Sequence, residues 1–268
     1  MKGRLDASLL TGIAMFLAMA LLVLAGNLVV GLDPQKTSPD VLIPPSAAHW
    51  LGTDSVGRDV AARLVLGARS SLTVAVLAMA ATMLLGILLG VSSGFLGGAT
   101  DWIIMRVVDI FLSVPPLLMA ITILAAIGPS ITTLITVLIV TYTPQVIRVV
   151  RASAMQVGNR PFVESARVSG VPAPVTMAKH ILPNVRGTLI VQATITVAHM
   201  LLIETALSFL GMGVQPPAPS LGFMVSEGRQ WMEIAPWTVL APGAVIVFVV
   251  GAFTFLGHGL DASLARRS

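Results

Sequence analysis

Six long apolar runs constrain the fold of this chain more than any other feature. A transmembrane helix needs about 20 apolar residues, and only helices and closed barrels satisfy every backbone polar group inside lipid. Charged residues make up 10% of the chain, whereas an ordinary soluble domain carries about 25%. We therefore predict an all-α membrane protein with six transmembrane helices, at residues 9–30, 72–91, 103–127, 131–150, 188–210 and 238–256.

Basic residues are divided unequally between the predicted loops. If the N-terminus lies inside, eleven Lys and Arg residues fall on the inner side and five on the outer side. Cytoplasmic loops carry an excess of Lys and Arg, so this arrangement predicts both termini in the cytoplasm. These loops also explain the sequence pI near 10.3, which gives no ground for nucleic-acid binding. The inner set is Lys2, Arg4, Arg106, Arg148, Arg151, Arg160, Arg167, Lys179, Arg186, Arg266 and Arg267, and the outer set is Lys36, Arg58, Arg63, Arg69 and Arg229.

A polar segment with several prolines, residues 161–184, separates the fourth and fifth runs. Pro161 and Pro174 can each occupy the first turn of a helix, where the missing N–H costs nothing. Gly170 can end the first helix, and we expect Pro183 to stop the second. The sequence thus predicts a compact helix-Gly-helix hairpin on the inner face, with the shape of a docking device.

Three regions follow from this pattern. Residues 1–70 hold the first transmembrane helix and an external segment, residues 71–260 hold a core of five helices with the hairpin loop at 157–186, and residues 261–268 form a cytoplasmic tail. The first run is longer than the apolar core of a signal peptide, about 7 to 15 residues, so we interpret it as a retained helix.

The external segment contains a candidate interfacial helix. Asp54 is a plausible N-cap, and Val56, Val60 and Leu64 follow at a spacing of four residues. Such a spacing places apolar side chains on one face of a helix. We expect this short helix to lie along the outer membrane surface.

The third apolar run carries two local features. Arg106 and Asp109 are three residues apart and can form an ion pair on one helix face. The pair Pro115 and Pro116 falls at mid-depth, where neighbouring helices can satisfy the freed carbonyl groups. We therefore predict a kink at these prolines.

The hairpin loop resembles the signature loop of the permease subunits of ABC importers. The family pattern is Glu-Ala-Ala, three residues, Gly, nine residues, then Ile-x-Leu-Pro. This chain has Glu-Ser-Ala at 164–166, Gly170 and His-Ile-Leu-Pro at 180–183, so it departs at Ser165 and His180. The stretches LGTDSVGRD, MRVVDIFLSVP and LSFLGMGVQPP are similar to the branch that imports dipeptides, oligopeptides and nickel.

This resemblance implies a type I permease core with a cytoplasmic coupling helix, in the inner membrane of a bacterium. It also implies a second, homologous permease, two ATPase subunits that bind ATP and Mg, and an external binding protein that delivers a peptide, nickel or a metal chelate. The residues that it assigns to coupling with the ATPase are Glu164, Ser165, Ala166, Gly170, His180, Leu182 and Pro183.

Neither a catalytic group nor a bound cofactor is expected in this chain. A phosphate-binding loop needs Gly-x4-Gly-Lys followed by Ser or Thr, and the pair Lys36-Thr37 follows Gln35 instead. The sequence has no cysteine, so it offers neither a thiolate metal site nor a cysteine nucleophile. The energy for transport would therefore come from a partner.

Four residues are candidates for the translocation path, because ionisable groups inside a membrane are costly and mark functional sites by default. They are Asp109, His199, Met200 and Glu204. His199 and Met200 could help a soft metal to pass, although an interhelical hydrogen bond is the simpler role for His199. Glu204 lies about 140° around the helix from His199, so the two do not form one site.

Two other functions remain open from the residues. A secondary transporter would need coupling-ion groups and usually an inverted repeat, and the sequence shows no repeat. An intramembrane enzyme would need a nucleophile with a base or a pair of carboxylates. Asp109 and Glu204 are predicted near opposite faces of the bilayer and make a poor pair.

Overall fold

The computed structural model describes residues 7–30 and 33–265, so Lys2, Arg4, Arg266 and Arg267 lie outside the described residues. The described residues form helices and loops, and the all-α prediction is confirmed. The helices are α1 (Ala7–Val30), α2 (Val60–Leu96), α3 (Gly98–Leu112), α4 (Pro116–Ile127), α5 (Ile131–Gly158), α6 (Pro161–Val168), α7 (Ala173–Thr176), α8 (Leu182–Phe209), α9 (Leu221–Gly228) and α10 (Trp237–Ala265), with a π turn at Met177–Ile181 and a 3-10 turn at Arg229–Trp231.

Four of the described helices are long and apolar enough to cross a membrane. They are α2, α5, α10 and the continuous helix from α7 through α8, and α3 with α4 would make a fifth span if the bent pair counts as one. Within α1, Ser8–Val23 is a shorter apolar helix. The count of six spans therefore stays a prediction.

The break between α3 and α4 lies at the predicted prolines. The two helix axes meet at 83°, so the chain turns sharply where the sequence predicted a kink. Pro115 precedes α4 as its N-cap residue, and Pro116 occupies the first turn of that helix. The predicted position of the bend is confirmed.

Helices α2 and α5 form the main packing interface of the bundle. A Cβ on Gly90 would lie 2.7 Å from Val150 Cβ, and one on Gly94 would lie 2.6 Å from the carbonyl oxygen of Arg151. Glycine therefore allows the two backbones to approach closely, as small residues do at helix contacts in membranes. Val146 and Val150 are buried at this contact.

The predicted interfacial helix is wrong. Helix α2 begins at Val60, its N-cap is Asp59, whose carboxylate accepts a hydrogen bond from Ala62 N–H, and it continues without a break to Leu96. It therefore crosses the predicted boundary between residues 70 and 71. Val60 and Leu64 are buried, whereas Val56 is exposed in the preceding loop.

Asp54 instead organises an ion-pair network at the end of the bundle that carries α9, called here the α9 end. Its carboxylate contacts Arg63 and lies 2.7 Å from Arg58 Nε, while Glu227 lies 3.1 Å from Arg58 and 2.6 Å from Arg63. Burial would raise the pKa of Asp54, but hydrogen bonds from the backbone N–H groups of Arg58 and Val56 and from the Arg58 side chain outweigh it. The pKa of Asp54 therefore lies below its ordinary value of 3.8.

Candidate coupling site

Helix α6 forms the first arm of the hairpin. Pro161 occupies its first turn, as the sequence predicted. Val163 and Ala166 are buried against the bundle, whereas Glu164 and Ser165 are exposed on the outer face of the helix. Two of the three residues in the Glu-Ser-Ala motif therefore face away from the bundle, and Ala166 attaches α6 to it.

Gly170 ends this arm in a left-handed turn. Its φ is +75°, a conformation that costs a residue with a side chain about 1–2 kcal/mol. Gly170 N–H donates to the carbonyl of Arg167, and Val171 N–H donates to the carbonyl of Ala166, both at 3.0 Å. This pair of bonds is a Schellman motif, which satisfies the last carbonyls of the helix.

The second arm does not stop at Pro183, so that prediction is wrong. Ala173 and Pro174 begin α7, and the chain then passes through the π turn directly into α8. In the turn, Leu182 N–H donates to the carbonyl of Met177, five residues back. A π turn can accommodate Pro183, which lacks an N–H and would clash in a regular α-helix.

One side-chain contact attaches the hairpin to the bundle, and another joins its two arms. The Arg167 guanidinium donates to the carbonyl of Phe95 at 3.0 Å and lies 4.3 Å from the centre of its ring. The ring of His180 lies 6.3 Å from the ring of Phe162. The first contact joins α6 to the end of α2, and the second joins the two arms.

The surface of the hairpin is partly apolar and open. Val168 is 85% exposed, and Gly170, Leu182 and Pro183 are exposed as well. His180 is half-buried. The end of the bundle that carries α6 and α7, called here the α6 end, therefore presents an exposed surface with apolar side chains.

The translocation-path candidates are not brought together. His199 is exposed, and its ring lies 6.3 Å from the ring of Tyr142. Met200 and Glu204 are each 0% exposed, so both lie inside the bundle. Asp109 is exposed and far along the chain from them, on α3. Their role in a path stays a prediction.

The predicted ion pair between Arg106 and Asp109 is wrong. Asp109 accepts a hydrogen bond from Arg148 of α5 at 2.6 Å, while Arg106 lies 5.5 Å from the centre of the Trp102 ring. The ion pair of Asp109 with Arg148 on α5 therefore replaces the predicted pair within α3. Among the described residues, no three His, Cys, Asp or Glu side chains are placed to hold a metal ion.

Sequence reasoning missed two groups of residues that shape the site. The glycines of α2 recur every four residues, at 86, 90 and 94, and this spacing is a sequence signal for close helix packing. From the sequence, Arg167 is one of several basic residues in the loop. No local pattern indicates its contact with Phe95, because 72 residues separate them.

The comparison with known families agrees with the hairpin. Residues 86–268, more than half of the chain, match the family described as binding-protein-dependent transport system inner membrane component. The chain belongs to this family. The matched region contains α3 to α10 and therefore the whole hairpin, and the resemblance seen in its sequence is confirmed.

Individual members of the family are similar over most of their length. The dipeptide transport system permease protein DppC of Alkalihalophilus pseudofirmus is 37% identical over 95% of this chain and 84% of that protein. The oligopeptide transport system permease protein OppC of Bacillus subtilis is 37% identical over 82% of this chain and 72% of its own length. The glutathione transport system permease protein GsiD of Pectobacterium atrosepticum is 35% identical over 82% of this chain and 73% of its own.

Proposed function

We propose that this chain is one of two permease subunits in an ATP-driven importer of short peptides. The second subunit is a homologous permease, two ATPase subunits bind ATP and Mg, and an external binding protein delivers the peptide. Relatives named as dipeptide and oligopeptide permeases support a peptide as the substrate. Nickel or a metal chelate is the alternative cargo, and none of these relatives is named for it.

The observation that carries the proposal is the hairpin of α6 and α7. It combines the Glu164-to-Pro183 spacing of the family's coupling loop with a rigid left-handed turn at Gly170. A rigid projection transmits a displacement, whereas a flexible loop would absorb it. The ATPase therefore docks on the exposed surface around Val168.

The α6 end faces the cytoplasm in this proposal, and both termini lie there as well. Cytoplasmic loops are rich in Lys and Arg, and the segments at this end carry six such residues. They are Arg148, Arg151, Arg160, Arg167, Lys179 and Arg186. The α9 end then faces the external binding protein.

Transport proceeds by alternating access. Closure of the ATPase subunits on ATP displaces the hairpin, and the displacement passes through the π turn into α8, which is continuous with α7. The peptide moves between this chain and the second permease, past the exposed side of α8 on which His199 lies. This chain provides the hairpin and one side of the path, and the ATPase subunits hydrolyse ATP.

Uptake by the complete complex in liposomes tests the proposal. A labelled dipeptide should accumulate when the ATPase side receives ATP and the binding protein is present on the other side, with no ion gradient. Accumulation that follows a proton or sodium gradient without ATP would establish a secondary transporter instead. Uptake of nickel in place of peptide would establish the alternative cargo, and hydrolytic activity of the purified chain alone would point to an enzyme.

A further inference from the structure

Helix α8 connects the two ends of the molecule. It has 28 residues and is therefore about 42 Å long. Its first residue follows the π turn of the hairpin, and residues near its last turn contact α9. A displacement at the α6 end can reach the α9 end along this one helix, provided that α9 is firmly attached to it.

Glu204 is buried at the point of attachment. None of its surface is exposed, and its Oε1 accepts a hydrogen bond from Ser208 Oγ at 2.7 Å. The hydroxyl groups of Ser71, on α2, and Thr205 also lie beside the carboxyl group. The second oxygen, Oε2, has no well-formed hydrogen bond within the described residues. The carboxyl group is therefore enclosed between α8 and α2.

Helix α9 packs on the residues that surround this polar group. The N–H of Leu221, at the start of α9, donates to Ser71 Oγ at 3.3 Å. A Cβ on Gly222 would overlap the carbonyl oxygen of Thr205, so no space separates the two backbones. Ser71 and Leu221 are both fully buried. The start of α9 is thus held by α2 and α8 together.

We propose that Glu204 is a positioning residue that fixes α9 to the end of α8, so that α9 moves with α8 when the coupling hairpin is displaced. The inference rests on the proposed function, since it extends the movement of the hairpin to the outer mouth of the path. Glu204 acts through Ser208, Ser71 and α9, and it does not touch the peptide. This role differs from the path-lining role considered for Glu204 from the sequence.

The physical reason is the cost of separating these groups. In lipid no water is available to replace a broken hydrogen bond, and a buried polar group without a partner is strongly unfavourable. The contact of Gly222 with Thr205 adds a steric constraint, because close-packed groups shift together. The junction of α8 and α9 is therefore the stiff part of the α9 end.

Distances between spin labels in the complete complex test whether α8 and α9 move together. The sequence has no cysteine, so Ile190→Cys on α8 and Ser226→Cys on α9 provide the one pair of labels in this chain, and the partner subunits are prepared without cysteine. We expect the same narrow distance distribution in the nucleotide-free complex and in the complex trapped with ATP and vanadate. A distance that differs between the two states would overturn the inference.

Substitutions test whether Glu204 is responsible. Glu204→Ala should broaden the distance distribution and lower peptide uptake per ATP hydrolysed by about tenfold, since a buried hydrogen bond and its partner are lost. Glu204→Gln keeps an acceptor for Ser208 and should restore the narrow distribution and at least half of the uptake. Gly222→Ala should reproduce the effect of Glu204→Ala by pushing α9 away. Gly243→Ala is the matched control, because a Cβ there meets nothing within 4 Å.

The outcomes separate this inference from the proposed function. If the labels report a rigid junction that Glu204→Ala loosens, and no peptide is taken up, the inference about the junction stands and the proposed substrate fails. If Glu204→Ala leaves both the distances and the uptake unchanged, the role of Glu204 is overturned. If Glu204→Ala does not fold, the wild-type distances and Gly222→Ala still decide the question.

Discussion

Gly170 is the residue at which the backbone itself constrains the shape of the hairpin. The space around it is open, since a Cβ would meet nothing within 4 Å, and the constraint is its φ of +75°. The sequence predicted a glycine-terminated helix here, and the Schellman bonds confirm it. A substitution therefore changes the shape of the hairpin and leaves the bundle intact.

Replacing Gly170 should uncouple ATP hydrolysis from transport. Gly170→Ala should strain the turn by about 1 kcal/mol, and Gly170→Trp should in addition cover the docking surface. We expect both variants to fold, with fewer peptides taken up per ATP hydrolysed in reconstituted vesicles. Gly158→Ala is the control, because a Cβ there would lie 3.8 Å from Phe95, an ordinary contact. Unchanged coupling in Gly170→Trp would contradict the assigned role.

The role of Asp54 could not be predicted from its local sequence. Its sequence context suggested an N-cap, but that position belongs to Asp59, five residues later. Asp54 instead forms an ion pair with Arg63, which is only 3% exposed. Arg63 also pairs with Glu227. Both ion pairs form only in the folded chain. A local pattern identified the residue and could not identify its partners.

The Asp54 network should make stability depend on pH. Because the pKa of Asp54 is lowered in the folded protein, its stabilising contribution is complete above about 4 and is lost as the pH falls through the lower folded value. Asp54→Asn should reduce stability at pH 7 by about 2 kcal/mol, the scale of hydrogen bonds to a charged group. Thermal unfolding in detergent at several pH values measures both effects. Asp33→Asn, at an exposed position, should change neither, and a wild-type stability that rises below pH 4 would contradict the sign.

At the scale of elements, apolar runs located the long helices well and their ends poorly. The second run was predicted at 72–91, and α2 extends from Val60 to Leu96. The first turns of α2 include the buried Arg63, so hydropathy underestimates the length of the helix. The helix end predicted at Pro183 is wrong for a related reason, since the rule that proline ends a helix does not allow for a π turn before it.

The contact between α2 and α5 predicts a steric effect at Gly90. In Gly90→Val the new side chain would meet Val150 Cβ at 2.7 Å and the carbonyl of Ile147 at 3.0 Å. Overpacking of this kind costs about 1–3 kcal/mol, so we expect lower thermal stability in detergent. Gly243→Val, with no atom within 4 Å of its Cβ, should be affected much less. Equal stability of the two variants would show that the contact between α2 and α5 accommodates the larger side chain, and would contradict the prediction.

In the whole molecule, the proposed docking surface and the ion-pair network lie at opposite ends of the bundle. At the α6 end, the motif spacing and the distribution of basic residues predicted the hairpin from the sequence alone. The α9 end depends on contacts between segments more than 150 residues apart, such as Arg63 with Glu227. Such contacts leave no periodic pattern, so only the folded chain reveals them.

Cross-linking tests whether the α6 end docks on the ATPase. The cysteine-free chain allows single thiols at Val168, 85% exposed at the α6 end, and at Ile234, 63% exposed beyond α9. With a short thiol-to-amine cross-linker in the complete complex, Val168→Cys should be joined to an ATPase subunit and Ile234→Cys should not. An ATPase adduct of Ile234→Cys, or none with Val168→Cys, would contradict the account.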